Sequence, residues 1–231
     1  MPVITITGLV GSGAIEVGIE ISRKLGIDYV DRMILAEAAK RMGTTVAAVA
    51  ERTERPPTRG ERIAAFARSV LERSALAGSG GDPYFGGGLD ALLVREYRDF
   101  PTEGMGDVAD AQLLEMTAAV MRELAASNRV IIAGRGANMI LRDNPGALHV
   151  GLTSALDQRV QRIMNRENLD RAEAERFVAE NDKGRNAYFQ RFFKVHPDDP
   201  THYHLMVNTD LLSTPKAAEL VVGAARIVPA Y

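Results

Sequence analysis

Cysteine is absent from the 231-residue chain, which excludes disulfides, thiolate nucleophiles and cysteine metal sites. No apolar run approaches the roughly 18 residues needed to span a bilayer. Met1 to Thr7 leads into an apolar strand without the basic segment that opens a secretory signal, so the sequence predicts a cytoplasmic protein. Strong charge of one sign is also lacking. A formal net charge of −2 gives no global attraction to nucleic acid or membrane. Lysine is scarce: it supplies five of the 28 basic residues, leaving 23 arginines. A GC-rich genome explains that bias, and so does a need for planar forks that grip phosphate with two hydrogen bonds.

What is present suffices for a globular core. Hydrophobic residues make up 46% of the chain, and the length suits one domain or one domain with a large insertion. Val3-Ile-Thr-Ile-Thr7 is a β-branched run ending in glycines, hence a strand and a tight loop. Apolar residues at Ile15, Ile19, Ile21 and Leu25 follow near helical spacing, with Gly26 as a C-terminal cap. Ile27 to Val30 reads as a second strand ending on Asp31. Helices are expected at Met33–Met42, Val46–Glu54, Arg62–Ala77 and about Asp107–Ser127, with a glycine-rich mobile loop at Gly78–Gly88. Further strands are expected at Val130–Ala133, Ala147–Leu152 and Leu205–Asn208. Helices are expected from about Ala155 to Arg166, from Arg171 to Phe193, and from Pro215 onward. Strands alternating with helices predict a parallel sheet covered on both faces.

The loop Gly8-Leu-Val-Gly11-Ser12-Gly13-Ala14-Ile15 joins the first strand to the first helix. It keeps both glycines of the phosphate-loop pattern G-x-x-x-x-G-K-[S/T], but Ala14 stands at the lysine position and Ile15 at the hydroxyl position. Backbone N–H groups at a helix N-terminus still bind an anion without any side chain. Lost are the point charge that reaches the β- and γ-phosphates and the hydroxyl that holds Mg²⁺. By itself the loop is equally a packing turn. The rival dinucleotide pattern is nearly matched by Gly11, Gly13 and Gly18 but fits less well, because Gly13 and Gly18 are five apart rather than three.

Arg135 follows the Val130–Ala133 strand between two glycines, at the carboxyl edge where open parallel sheets bind ligands; a solvated turn arginine is the alternative. Arg159, Arg162 and Arg166 share a helix face, and Asp182 and Arg185 lie one turn apart. Solvated surface pairs would give the same spacing. Asp31 either orients Mg²⁺ or accepts a hydroxyl proton, or it caps the next helix. His202 and His204 lack the further ligands of a metal site, and His149 reads as a packing residue within its strand. No metal ligand set is identified.

Together these residues resemble the cytidylate kinase-like family of nucleoside monophosphate kinases. The resemblance runs through the opening strand and loop with Glu16 and Gly18, through Leu25-Gly-Ile-Asp-Tyr-Val-Asp31-Arg32, and through Val130-Ile-Ile-Ala-Gly-Arg135-Gly-Ala-Asn138. It continues in Arg159 to Glu167, Asp182-Lys-Gly-Arg185 and Tyr203 to Thr209. It implies a three-layer α/β fold with a five-stranded parallel sheet in the order 2-3-1-4-5 over residues 1–231. A helical acceptor-binding insert would occupy about 43–128 and lid helices 154–193. It also implies phosphoryl transfer from ATP, with Mg²⁺, to a (deoxy)cytidylate-type or related small phosphorylated acceptor. Asp31, Arg135, Arg159, Arg162 and Arg185 would serve catalysis, and Gly8, Gly11, Ser12, Gly13, Ala14 and Ile15 would bind the nucleotide. A catalytically impaired nucleotide-binding regulator is the alternative. The long helices leave room for a homodimer. True cytidylate kinases carry the loop lysine and an aspartate after the Gly-Arg pair, where this chain has Gly136.

Overall fold

The computed structural model describes residues 3–32, 96–99 and 107–227. The helices expected between Met33 and Ala77 and the Gly78–Gly88 loop lie outside the described residues. Strand β1 (Val3–Gly8) is followed by helix α1 (Ala14–Leu25) and strand β2 (Asp28–Val30). A 3₁₀ turn (Tyr97–Asp99), α2 (Asp107–Ala126), β3 (Val130–Ala133) and a short α3 (Ala137–Ile140) come next. Then come β4 (Ala147–Thr153), α4 (Leu156–Glu167), α5 (Arg171–Phe193), a 3₁₀ turn (Pro200–His202), β5 (Leu205–Asn208) and α6 (Thr214–Ala225).

The five strands form one parallel sheet in the order β2-β3-β1-β4-β5, as the resemblance implies. Side-chain alternation along each strand feeds two cores. Ile4, Ile6, Ile131 and Val150 face Val17 and Ile21 of α1 and Val221 of α6. Val3, Val130 and Ile132 face Val120 and Met121 of α2. A sheet buried on both faces needs apolar residues at successive strand positions, and β1 and β3 supply them as β-branched runs. Two polar side chains, Thr5 and Thr7, interrupt the second face. Thr5 Oγ1 bonds His149 Nδ1 at 2.9 Å, and Thr7 Oγ1 donates to Asn138 Oδ1 at 3.3 Å.

Helix α3 was not legible, because four residues carry no periodicity. It follows from a run of three left-handed residues, Gly134 (φ 79°), Arg135 (φ 53°) and Gly136 (φ 70°), which turns the chain sharply off β3. Ala155, the N-cap of helix α4, offers no capping side chain. Asp210, just beyond β5, does the capping instead: its carboxylate accepts the Ala155 N–H at 2.6 Å and the Ser154 hydroxyl at 2.6 Å. Helix α5 starts with a capping box between Asp170 and Glu173. Among the described residues, no helix is long and apolar enough to cross a membrane.

Candidate functional site

A cleft of about 280 Å³ opens at the carboxyl edge of β1, β2 and β3. Its floor is the glycine loop between β1 and α1. Gly11 (φ 78°) and Gly13 (φ 82°) are left-handed, and α1 begins with no side-chain cap. The amides of its first turn therefore have no partner from their own helix or from a capping side chain. A phosphate group fits that arrangement.

The wall at the β2–β3 side carries Asp31, Arg32, Glu96, Tyr97 and Arg135. Arg135 is 3% exposed and is held by aromatic groups. Its N–H donates to Tyr97 Oη at 2.9 Å, and its carbonyl accepts from Tyr188 Oη at 3.3 Å. Its guanidinium stands 5.1 Å from the Tyr97 ring centre and 5.9 Å from that of Tyr188. Burial pulls its pKa down and that of Tyr188 up, yet an arginine stays charged at neutral pH. Arg32 pairs with Glu96 at 3.1 Å. The Tyr29 hydroxyl is raised above its ordinary pKa by burial and, to a lesser degree, by the negative charges of Asp31 and Glu16.

The opposite wall is α4 and α5. Arg162, Arg166, Asn181 and Arg185 line the cleft. Arg166 is exposed, and its Nε pairs with Glu167. Arg185 is 2% exposed, with Nη1 on Asp198 at 2.7 Å and Nη2 on the Pro197 carbonyl at 3.3 Å. Arg159 does not line the cleft. It is buried, paired with Asp182 at 2.8 Å and directed at the Val10 carbonyl at 3.4 Å. Asp182 thus pairs with Arg159 and Arg185 with Asp198. Burial raises the Asp182 pKa against the opposing pull of Arg159. Buried arginines with internal partners are not the solvated helix face that spacing alone permits.

Of the predicted residues, the structure brings Asp31, Arg135, Arg162, Arg185 and loop residues Gly8, Gly11, Gly13, Ala14 and Ile15 to one cleft. Ser12 is wholly buried behind the loop, and its hydroxyl has no hydrogen-bond partner among the described residues. Ile15, at the hydroxyl position, is 45% exposed. Sequence reasoning missed Tyr97, Glu96 and Asn181. Tyr97 reaches Arg135 only because Gly184 in α5 lets the Tyr97 backbone pass where a Cβ would stand, and no local pattern reports such a crossing.

A solved structure shares the architecture over nearly the whole chain. A crystal structure of an uncharacterized protein from Eubacterium ventriosum superposes with a TM-score of 0.64 at 16% identity, covering 98% of this chain and 99% of that one. Shikimate kinase from Acinetobacter baumannii gives a TM-score of 0.44 at 13% identity, over 98% and 94% of the two chains. A curated uronate isomerase of Corynebacterium glutamicum is 28% identical over 98 residues, which are 42% of this chain and only 19% of that protein. A match confined to about a fifth of that enzyme says nothing of a shared activity. The cytidylate kinase-like family model matches residues 3–211, nearly the whole chain, and on that match the chain belongs to the cytidylate kinase-like family.

Proposed function

We propose that the protein is a phosphotransferase that moves a phosphoryl group from ATP to a (deoxy)cytidylate-type or related small acceptor. The observation that carries this reading is one cleft joining an uncapped helix N-terminus to a buried arginine at the sheet edge. The triphosphate would lie on the Gly8–Ile15 loop, and the acceptor's phosphate would meet Arg135. Arg166 and Arg185, on the facing wall, would offset charge as it spreads over the transferring group. This chemistry needs positioning and electrostatics rather than a covalent nucleophile. The aromatic clasp around Arg135 suits it, because it fixes the fork before the acceptor arrives.

No group of three or more His, Asp or Glu that could hold a metal occurs among the described residues, and Ile15 offers no hydroxyl. The donor set still fits Mg²⁺ arriving on the nucleotide, since that ion keeps most of its water and takes one or two carboxylates besides phosphate oxygens. Asp31 and Glu16, which line the cleft together, are the residues that would hold it. When bound, the ion neutralises charge on the β- and γ-phosphates.

A second reading, a nucleotide-binding regulator without turnover, is favoured by the apolar, exposed Ile15 beside Ala14. Calorimetry with ATP–Mg²⁺ and a coupled ADP-release assay over a panel of monophosphates separate the two. Turnover on an acceptor supports the first reading. Binding without turnover on any acceptor supports the second, and no binding up to millimolar ATP removes both.

A further inference from the structure

We infer that Arg159, Arg162 and Thr209 are positioning residues that hold the phosphate loop in its anion-binding shape, in a chain that has no loop lysine. The inference deepens the reading above and rests on it. Three consecutive carbonyls of the loop are tied from outside. Val10 O accepts from Arg159 Nη1 at 3.4 Å, Gly11 O from Arg162 Nη1 at 3.0 Å, and Ser12 O from the Thr209 hydroxyl at 2.8 Å. In a trans peptide the carbonyl of one residue and the N–H of the next point in opposite directions. Each tie therefore turns the following amide away from its donor. The Ser12 amide closes a turn onto Leu9 O at 3.0 Å, while the Gly11 and Gly13 amides make no backbone hydrogen bond among the described residues. Both glycines line the cleft.

The ties are braced. Arg162 Nη1 also meets Ser154 Oγ and Thr209 Oγ1, each at 3.1 Å, and Nη2 meets Thr209 O at 3.0 Å and Asp210 at 3.4 Å. A guanidinium so fully engaged is a poor source of charge for a moving phosphoryl group and a good clamp. The loop also rests directly on α4: a Cβ at Gly11 would stand 2.7 Å from the Arg159 carbonyl oxygen. Without a lysine, affinity for an anion rests on fixed backbone dipoles, and their worth depends on being fixed beforehand. The network gives Arg159 and Arg162 that work, in place of direct contact with the transferring group.

The test uses the full chain with Thr209→Val, Thr209→Ser and Arg162→Lys. Thr209→Val keeps the side-chain shape and removes the hydroxyl tie to Ser12. Amide exchange at Ser12, read without ligand, is expected to rise about tenfold, and ATP affinity by calorimetry to fall about tenfold, because the hydroxyl's tie to Ser12 O and its contact with Arg162 Nη1 are lost together. Thr209→Ser restores both. Arg162→Lys keeps a charge but loses the fork, so it is expected to loosen the loop amides as Thr209→Val does. Wild-type exchange at Ser12 in Thr209→Val, or a Thr209→Ser variant as loose as Thr209→Val, overturns the inference. So does Arg162→Lys with loop amides and affinity like wild type, because Arg162 would then act as charge alone. If the wild-type chain binds no ATP, the functional reading fails, while the ligand-free exchange still decides whether the ties hold the loop.

Discussion

Substituting Gly136 with aspartate would restore the residue that follows the Gly-Arg pair in true cytidylate kinases, and the structure predicts that this chain will not accept it. Gly136 is buried with φ 70° and ψ 25°, a left-handed conformation that costs a residue with a Cβ about 1 kcal/mol, aspartate somewhat less. The added Cβ would also fall inside contact distance of Phe193 Cε2 and Cζ. Phe193 is half-buried, with its ring 5.5 Å from that of Phe189 and 6.1 Å from that of Tyr188, so making room for the Cβ means repacking it against those rings. Overpacking of that kind costs about 1–3 kcal/mol. The expected loss for Gly136→Asp is therefore about 3 kcal/mol, or about 6–12 °C in Tm for a chain of this size. Urea and thermal unfolding followed by circular dichroism measure it. The clash term is isolated by a double-mutant cycle with Phe193→Leu, in which the pair should be less destabilised than the sum of the singles by about 1 kcal/mol or more. A Gly136→Asp variant within about 0.5 kcal/mol of wild type, or a strictly additive cycle, would refute the packing argument.

Ala14→Lys should tighten ATP binding about tenfold by adding one charge-assisted contact to the loop; unchanged affinity in calorimetry would mean that the loop is not a phosphate cradle. Arg135→Ala should lower kcat/KM for the acceptor about a hundredfold or more, and Arg135→Lys should recover only part of it, because a point charge replaces a clasped fork. Steady-state kinetics on both variants decide this, and wild-type constants for Arg135→Ala would rule out its contact with the acceptor. His149 is held neutral by burial and by neighbouring His204, with its pKa pulled down to about 4. The unfolded chain takes up that proton near pH 6.5 while the folded one does not, so stability should fall by about 3 kcal/mol as pH drops from about 6.5 to 4. Denaturant titrations across that window should show the loss, and His149→Asn should flatten it.

The strands and the long helices were legible because their signals are local. β-branched runs ending in glycine marked β1 and β3, and the expected bounds of α5, Arg171 to Phe193, coincide with those observed. Of β2, only Asp28–Val30 pairs with β3; Ile27 instead fills the core beneath α1. The glycine loop was legible as a loop, and Arg135 as an arginine at a sheet edge. Their juxtaposition across one cleft was an expectation that only the parallel pairing of β1 with β3 turned into geometry.

The sequence by itself determined the parallel α/β order, the glycine turn, the missing lysine and the arginine-bearing helix face, all of which depend on residue type and short spacing. Tertiary structure alone decided what each arginine touches. Arg159 reaches Val10 across 149 residues, and Arg162 reaches Gly11 across 151. Arg185 likewise pairs with Asp198 rather than with Asp182 one turn away, whose carboxylate Arg159 takes. Helical spacing fixes which side of α4 and α5 the arginines occupy. Which partner each one finds depends on the acceptors that the sheet and its loops bring within about 3 Å, and that is a property of the folded chain as a whole.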